Sequence, residues 1–107
     1  MAKYLLIESR DPFETDVSTY LDLAANLKKE GNEVILFLVQ NGVLPARKSG
    51  RSQMLSKLAD AGVEVYADDF SLRERGITSG RLAPGVKAAP IDMVVDQLAE
   101  GRKALWH

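Results

Sequence analysis

The stretch GVEVYADDFSLRERGI, residues 62–77, decides the fold of this chain of 107 residues. Its residues 63–67 are mostly apolar and predict a buried strand that stops at two acids, Asp68 and Asp69. A Ser-x-x-Glu pattern follows and predicts a short helix that begins at its serine and ends at Gly76. Because α/β proteins bind ligands where buried strands end, the two acids are the first candidates for a functional site.

Three other apolar runs predict strands. Residues 4–7 form a short run near the start of the chain. Residues 34–39 read VILFLV, which is β-branched and aromatic without polar alternation, as in a central parallel strand. Residues 103–106 predict a short last strand.

The segments between the first three strands have helical periodicity. The first helix begins either at Asp11, in the pattern Asp-Pro-Phe-Glu, or at Thr15 or Asp16, and it ends at Gly31. The second helix spans about residues 52–61. These helices alternate with strands, which favours right-handed crossovers and a parallel sheet.

The rest of the chain has weaker signals. Residues 43–51 are predicted to form a loop. Residues 78–90 are rich in Gly, Ala and Pro without a clear period, which predicts an irregular loop with at most a brief strand near Ile77. Apolar residues at helical spacing predict a helix over residues 91–98, ended by Gly101.

These elements predict one domain over residues 1–107. Its fold is α/β, a three-layer α/β/α sandwich of the flavodoxin-like kind, with a mainly parallel sheet of four or five strands.

Composition excludes several function classes. The net charge of −1 provides no general attraction to nucleic acid or to acidic membranes, so neither is predicted as a partner. The chain has no cysteine, which excludes disulfides, thiolate metal sites, thiol nucleophiles and persulfides on this chain. The apolar runs are far shorter than the roughly 20 residues of a membrane helix, and the first run is too short for the core of a signal peptide followed by a cleavage site. We therefore expect a cytoplasmic protein.

Polar residues follow each of the first three predicted strands and should meet at one edge of the sheet. Such a cluster is what a small-ligand site requires, so a small-ligand or nucleotide-binding module is one predicted function. The residues of this predicted rim are Ser9, Arg10, Asp11, Gln40, Asn41, Gly42, Asp68, Asp69, Arg75 and Gly76.

The acids of the rim have two interpretations. Glu8, Asp11, Asp68 and Asp69 could together hold Mg²⁺, because that ion prefers carboxylate oxygens. Alternatively, Asp68 or Asp69 caps the short helix, and nearby arginines neutralise the other acids. The capping interpretation is favoured because helix caps attract Asp anyway, so no metal or cofactor is predicted.

A phosphate site is conceivable at three cations of the loop over residues 43–51, namely Arg47, Lys48 and Arg51. Neither a Walker sequence nor a Gly-x-Gly-x-x-Gly pattern accompanies them, so a solvated charged loop is favoured.

No catalytic residue is predicted. His107 is the chain's one histidine, and no partner that would orient it can be named. Ser9 and Ser71 lack a nucleophile-elbow sequence and an obvious base. Trp106 is predicted to lie in the core or at a contact between subunits.

Short motifs in a fixed order resemble those of a known family. Residues 40–43 read QNGV, residues 75–77 read RGI after the third strand, and a helix leads into EGRK at residues 100–103. In this order and spacing, the chain resembles the DsrE/DsrF-like family of small sulfur-relay proteins, which includes the TusD-type subunits.

The resemblance implies a three-layer α/β subunit that assembles into dimers, trimers or hexamers in the cytoplasm. In sulfur-carrying members a cysteine lies seven places before the arginine of the Arg-Gly motif. Counting back from Arg75 gives 75 − 7 = 68, so Asp68 holds the position of the carrier cysteine. A carboxylate cannot form a persulfide. The resemblance therefore leaves two alternatives, a pocket converted to other ligand work or a thiol-free, non-catalytic subunit that acts through oligomerisation and a protein partner in sulfur metabolism. The second is favoured.

Overall fold

A parallel five-stranded sheet organises the chain in a computed structural model that describes residues 2–11, 18–47 and 53–107. Its strand order is β4-β3-β2-β1-β5. The strands are β1 (Lys3–Glu8), β2 (Glu33–Leu38), β3 (Glu64–Asp68), β4 (Val86–Ala89) and β5 (Lys103–Trp106).

The described helices connect these strands. They are α1 (Ser18–Lys29), α2 (Gln53–Asp60), α3 (Asp69–Glu74) and α4 (Asp92–Ala99), with two 3₁₀ helices over Gln40–Ala46 and Ser79–Arg81. None of them has the length and apolar character that crossing a membrane would require.

The strongest predicted strand lies at the centre of the sheet. In β2, Leu36 pairs with Leu6 of β1 on one side and with Val65 of β3 on the other. All three side chains are buried. A strand without polar alternation fits this position because both of its faces pack against other residues.

The two faces of the sheet are covered unequally. One face packs against α1, α2 and α3 through residues such as Leu21, Leu55 and Leu72. The opposite face packs against α4, which contributes Val94 to a smaller cluster with Phe37. This arrangement confirms the predicted three-layer α/β/α fold and its mainly parallel sheet.

The prediction of an irregular loop over residues 78–90 is wrong. The second 3₁₀ helix and β4 lie there, and β4 pairs in parallel with β3 from Val65↔Val86 to Asp68↔Ala89. The strand has four residues at the sheet edge and includes Lys87 and Ala88, which have weak strand propensity. The strand suggested near Ile77 is also wrong, because this residue lies between α3 and the 3₁₀ helix.

The predicted loop over residues 43–51 is wrong in its first part, where the first 3₁₀ helix extends to Ala46. Arg47 follows it, is exposed, and forms an isolated bridge with Leu82. Lys48 and Arg51 lie outside the described residues, so the phosphate hypothesis is not tested there. The start of the first helix also lies outside them, since α1 is described from Ser18 onward.

Candidate functional site

A cleft of about 490 Å³ lies at the carboxyl edge of the sheet, beside the ends of β2 and β3. Its volume is in the range of small-ligand sites, roughly 300–1,000 Å³. It is lined by Val39, Gln40, Asn41, Asp68, Phe70, Ser71, Glu74, Arg75, Ile91 and Trp106. The predicted rim therefore contributes four residues to this cleft: Gln40, Asn41, Asp68 and Arg75.

Asp68 ends β3 and caps the helix that follows. Its Oδ2 accepts hydrogen bonds from the backbone N–H of Ser71 at 3.1 Å and from the Ser71 hydroxyl at 2.7 Å. The helix therefore begins at Asp69 rather than at the predicted Ser71, and Asp68 is its N-cap. This geometry agrees with the capping interpretation of the acids.

Ser71 connects this cap to the end of β2. Its Oγ also accepts a hydrogen bond from the backbone N–H of Gln40 at 2.9 Å. Gln40 has a φ of +51°, which a side-chain-bearing residue adopts only at a cost. Hydrogen bonds among Asp68, Ser71 and Gln40 thus link the end of β3 to the first 3₁₀ helix.

One carboxylate oxygen of Asp68 has no hydrogen-bond partner among the described residues. The residue is 6 % exposed, and its Oδ1 is buried without a hydrogen bond to any described residue. A buried carboxylate oxygen left in this way costs free energy. A donor that reached this oxygen after a movement of the cleft wall would therefore recover that free energy.

Arg75 is held by neutral oxygens. Its Nε and Nη2 donate to Oδ1 of Asn41 at 3.1 and 3.0 Å, and its Nη1 donates to the carbonyl oxygen of Ser71 at 3.1 Å. Gly76 follows with a φ of +68°, a conformation that favours glycine. The QNGV and RGI motifs therefore meet in space through Asn41 and Arg75.

The remaining predicted rim residues lie elsewhere. Asp69 and Gly76 line a second cleft of about 490 Å³ near Ile77 and Ala88. Gly42 is buried against the backbone of Glu8. Ser9, Arg10 and Asp11 follow β1 and line neither cleft.

A second polar cluster, absent from the sequence-based prediction, joins β1 to β5. Glu8 is 2 % exposed, and its Oε2 lies 2.7 Å from Nδ1 of His107. Tyr20 stacks on the His107 ring at 4.9 Å between ring centroids. Its hydroxyl has one proton to donate, and the carbonyl oxygens of Leu105, at 2.5 Å, and Ile7, at 3.3 Å, are the two acceptors within reach. His107 thus has the orienting partner that could not be named from sequence.

The same strand end carries Trp106, whose indole N–H donates to Oγ of Ser9 at 3.1 Å. The Ser9 hydroxyl in turn donates to the His107 carbonyl oxygen at 3.0 Å. Trp106 is 70 % exposed, so its predicted place in the core is wrong and a contact between subunits remains the open alternative.

The four acids of the magnesium hypothesis do not come together. Glu8 faces His107, Asp68 caps α3, and Asp69 lines the second cleft. Across residues 2–11, 18–47 and 53–107, no three His, Asp or Glu side chains form a group that could hold a metal ion.

The burial of Glu8 predicts a pH dependence of stability. Burial raises the pKa of Glu8 above its ordinary value of 4.5, and the bond to His107 offsets this in part. The folded state then binds more protons at Glu8 than the unfolded state does. The contribution of Glu8 to stability is therefore greatest below about pH 4.5 and is lost as the pH rises through the folded-state pKa.

We expect the free energy of unfolding of the wild type, relative to that of Glu8→Gln, to fall as the pH rises above about 4.5, the ordinary pKa of glutamate. Urea titrations at each pH would measure it. Glu30→Gln, at an exposed glutamate, is the control. Its free energy of unfolding should differ from that of the wild type by an amount that does not vary with pH. A difference for Glu8→Gln that rises with pH would contradict the burial argument.

Comparisons with known proteins agree with this architecture. The family model described as "DsrE/DsrF-like family" matches residues 2–106. The ychN protein from E. coli is 23 % identical with a TM-score of 0.89, and the protein of unknown function MTH1491 from Methanobacterium thermoautotrophicum is 22 % identical with a TM-score of 0.85. Both matches cover 100 % of both chains.

A third structure, the conserved protein of unknown function BT1422 from Bacteroides thetaiotaomicron, is 18 % identical with a TM-score of 0.81. That match covers 98 % of this chain and 94 % of the other. At these identities the three structures establish the fold alone. No curated protein matches the chain by sequence.

Proposed function

Since this chain belongs to the DsrE/DsrF-like family, we propose that it is a thiol-free subunit that acts by self-association and by contact with a protein of sulfur metabolism. It does not carry sulfur itself. We place it in the cytoplasm, where the family resemblance implies such assemblies.

The absence of cysteine carries this proposal. Sulfur relay through a persulfide requires a thiolate, and the sequence contains none. Asp68 stands at the carrier position that the resemblance implies, and its carboxylate serves as a helix cap. The residue at this position therefore has a structural role that a sulfur carrier would not need.

An exposed apolar surface supports self-association. Ile91, at the N-cap of α4, recurs at helical spacing with Val95 and Leu98 of the helix, and the three are 51 %, 63 % and 46 % exposed. Ile91 shares the cleft with Trp106, so the surface continues onto β5. Large exposed apolar patches commonly mark protein contacts, and aromatic residues are enriched there. We propose that a second copy of this chain covers these four residues, the α4 surface.

The double substitution Val95→Glu with Leu98→Glu is expected to convert the oligomer into a monomer, because each interface would have to bury unpaired charges. Size-exclusion chromatography with light scattering would measure the mass at micromolar concentration. Leu23→Glu is the matched control, since Leu23 is an exposed apolar residue of α1 on the other side of the sheet. A wild type that is monomeric at micromolar concentration would contradict the proposal.

The sulfur part of the proposal has its own test. Incubation with a cysteine desulfurase and a sulfur donor should leave the wild type without any mass gain that a reductant reverses. Pull-down with the desulfurase or a carrier subunit would then detect the proposed partner. If no sulfur-relay protein binds, the proposed contact with a partner is contradicted, whereas the proposed self-association is not.

A second candidate function is small-ligand or nucleotide binding at the cleft beside Asp68. The cleft volume and the unpartnered Asp68 oxygen favour it. Thermal shifts across a panel of nucleotides and anions would test it, since a ligand at about 100 times its dissociation constant stabilises a protein by roughly 2.7 kcal/mol.

A further inference from the structure

We propose that the cleft beside Asp68 binds a ligand that carries a protonated amine next to an apolar or aromatic group. This inference rests on the second candidate function, ligand binding at the cleft, and adds the chemical class of the ligand. It does not depend on the sulfur-relay partner, and it shares Ile91 and Trp106 with the α4 surface proposed for self-association.

The first argument is the state of the Asp68 carboxylate. Ser71 satisfies Oδ2, whereas Oδ1 has no partner among the described residues. Hydrogen bonds between a charged donor and a carboxylate are about twice as strong as neutral ones. An ammonium group is therefore the donor that would gain most from this oxygen. Oδ1 has less than 1 Å² of accessible surface, so an ammonium group reaches it only after the Asp68 side chain or its neighbours move.

The second argument is the charge of the cleft. Two carboxylates, Asp68 and Glu74, and one cation, Arg75, line it. The three described donors of Arg75 go to the neutral oxygens of Asn41 and Ser71. Arg75 forms no ion pair with either carboxylate in the described part of the chain. The formal charge of the described lining residues is therefore −1, which favours a cationic ligand.

The third argument is the apolar wall. Phe70 is 57 % exposed, and Ile91 and Trp106 are exposed to a similar or greater extent. All three line the cleft. Apolar surface of this kind gains free energy when a ligand covers it, and aromatic faces also attract cations. A ligand with an aromatic ring beside its ammonium group would use both the wall and the carboxylate.

Trp106 makes the proposal measurable, because it is the only tryptophan in the chain and it lines the cleft. Its fluorescence would be titrated with phenethylamine, with the neutral phenethyl alcohol and with the anion hydrocinnamate. We expect the amine to bind at least about tenfold more tightly than the alcohol, and the anion to bind most weakly. High salt should weaken amine binding more than alcohol binding.

Asp68→Asn keeps the shape of the side chain and removes its charge, and it should weaken amine binding at least about tenfold. Asp69→Asn is the matched control, since Asp69 lines the second cleft. It should bind the amine as the wild type does. If circular dichroism finds Asp68→Asn unfolded, Glu74→Gln takes its place and should weaken the amine several-fold, because Glu74 is exposed and lines the same cleft.

Three results would overturn the proposal. The alcohol could bind as tightly as the amine, or Asp68→Asn could bind the amine unchanged. Adenosine monophosphate could change the Trp106 fluorescence while the amine does not, which would keep ligand binding and reject the ammonium. If no probe binds, both the second candidate function and this inference fail. Light scattering on the same samples would still measure the oligomeric state separately.

Discussion

Gly42→Ala is expected to lower the free energy of unfolding by roughly 3 kcal/mol, the upper end of the cost of overpacking a core. A Cβ at this position would lie 2.2 Å from the carbonyl oxygen of Glu8 and 2.9 Å from its carbonyl carbon. The clash is with backbone, and that carbonyl oxygen also accepts the N–H of Val39 at 3.0 Å. A shift of the Glu8 carbonyl away from the new Cβ would disturb this hydrogen bond, which joins the end of β1 to the residue after β2.

Thermal denaturation would measure this as a fall in Tm of roughly 10 °C or more for a chain of this size. Gly80→Ala is the matched control, because a Cβ there would have nothing within 4 Å. Its Tm should change little. An unchanged Tm for Gly42→Ala would mean that the first 3₁₀ helix does not pack against β1 as described, and the position of Gln40 and Asn41 in the cleft would then be in doubt.

Local patterns were sufficient to predict the architecture. The VILFLV run identified the central strand, because a strand buried on both faces has no polar alternation. The alternation of strands and helices then required parallel pairing and helices on both faces. The weak edge strand β4 was missed because its position depends on pairing with β3, and four residues with Lys87 among them contain little local signal.

The polar contacts depended on tertiary structure and were harder to predict. Glu8 and His107 are 99 residues apart, and only the pairing of β1 with β5 brings them together. The Asn41–Arg75 contact likewise joins two motifs that are 34 residues apart. The sequence placed Glu8, Asn41 and Arg75 at one edge of the sheet, since the ends of parallel strands meet there, but it did not place His107 with them. The sequence alone could not predict which of these side chains form hydrogen bonds with each other.

The proposed self-association and the proposed ligand binding involve some of the same residues at the cleft. Ile91 and Trp106 belong both to the cleft wall and to the α4 surface. A second copy that covers the α4 surface would therefore contact two side chains that a ligand in the cleft would also contact. Occupation of the cleft and association of subunits should then affect each other, as linked equilibria do.

Asp68→Cys is expected to give the chain a sulfur-carrying activity that the wild type lacks. The new thiol would lie at the position the family resemblance assigns to the carrier. The backbone N–H of Ser71, 3.1 Å from the present carboxylate oxygen, would favour the thiolate. That thiolate would take the terminal sulfur of a cysteine desulfurase persulfide, leaving the desulfurase thiolate and a new persulfide. Mass spectrometry should find a gain of one sulfur atom that a reductant removes.

The substitution should also destabilise the protein slightly, and a thiol at the neighbouring residue tests whether the position itself matters. Loss of the cap should lower the free energy of unfolding by about 1 kcal/mol, which leaves most of the molecules folded. Asp69→Cys is the matched control, because it adds a thiol one residue along the chain, in the wall of the second cleft. It should gain little sulfur under the same conditions. Equal gains by the two variants would contradict the assignment of the carrier position to Asp68, since any accessible thiol would then serve.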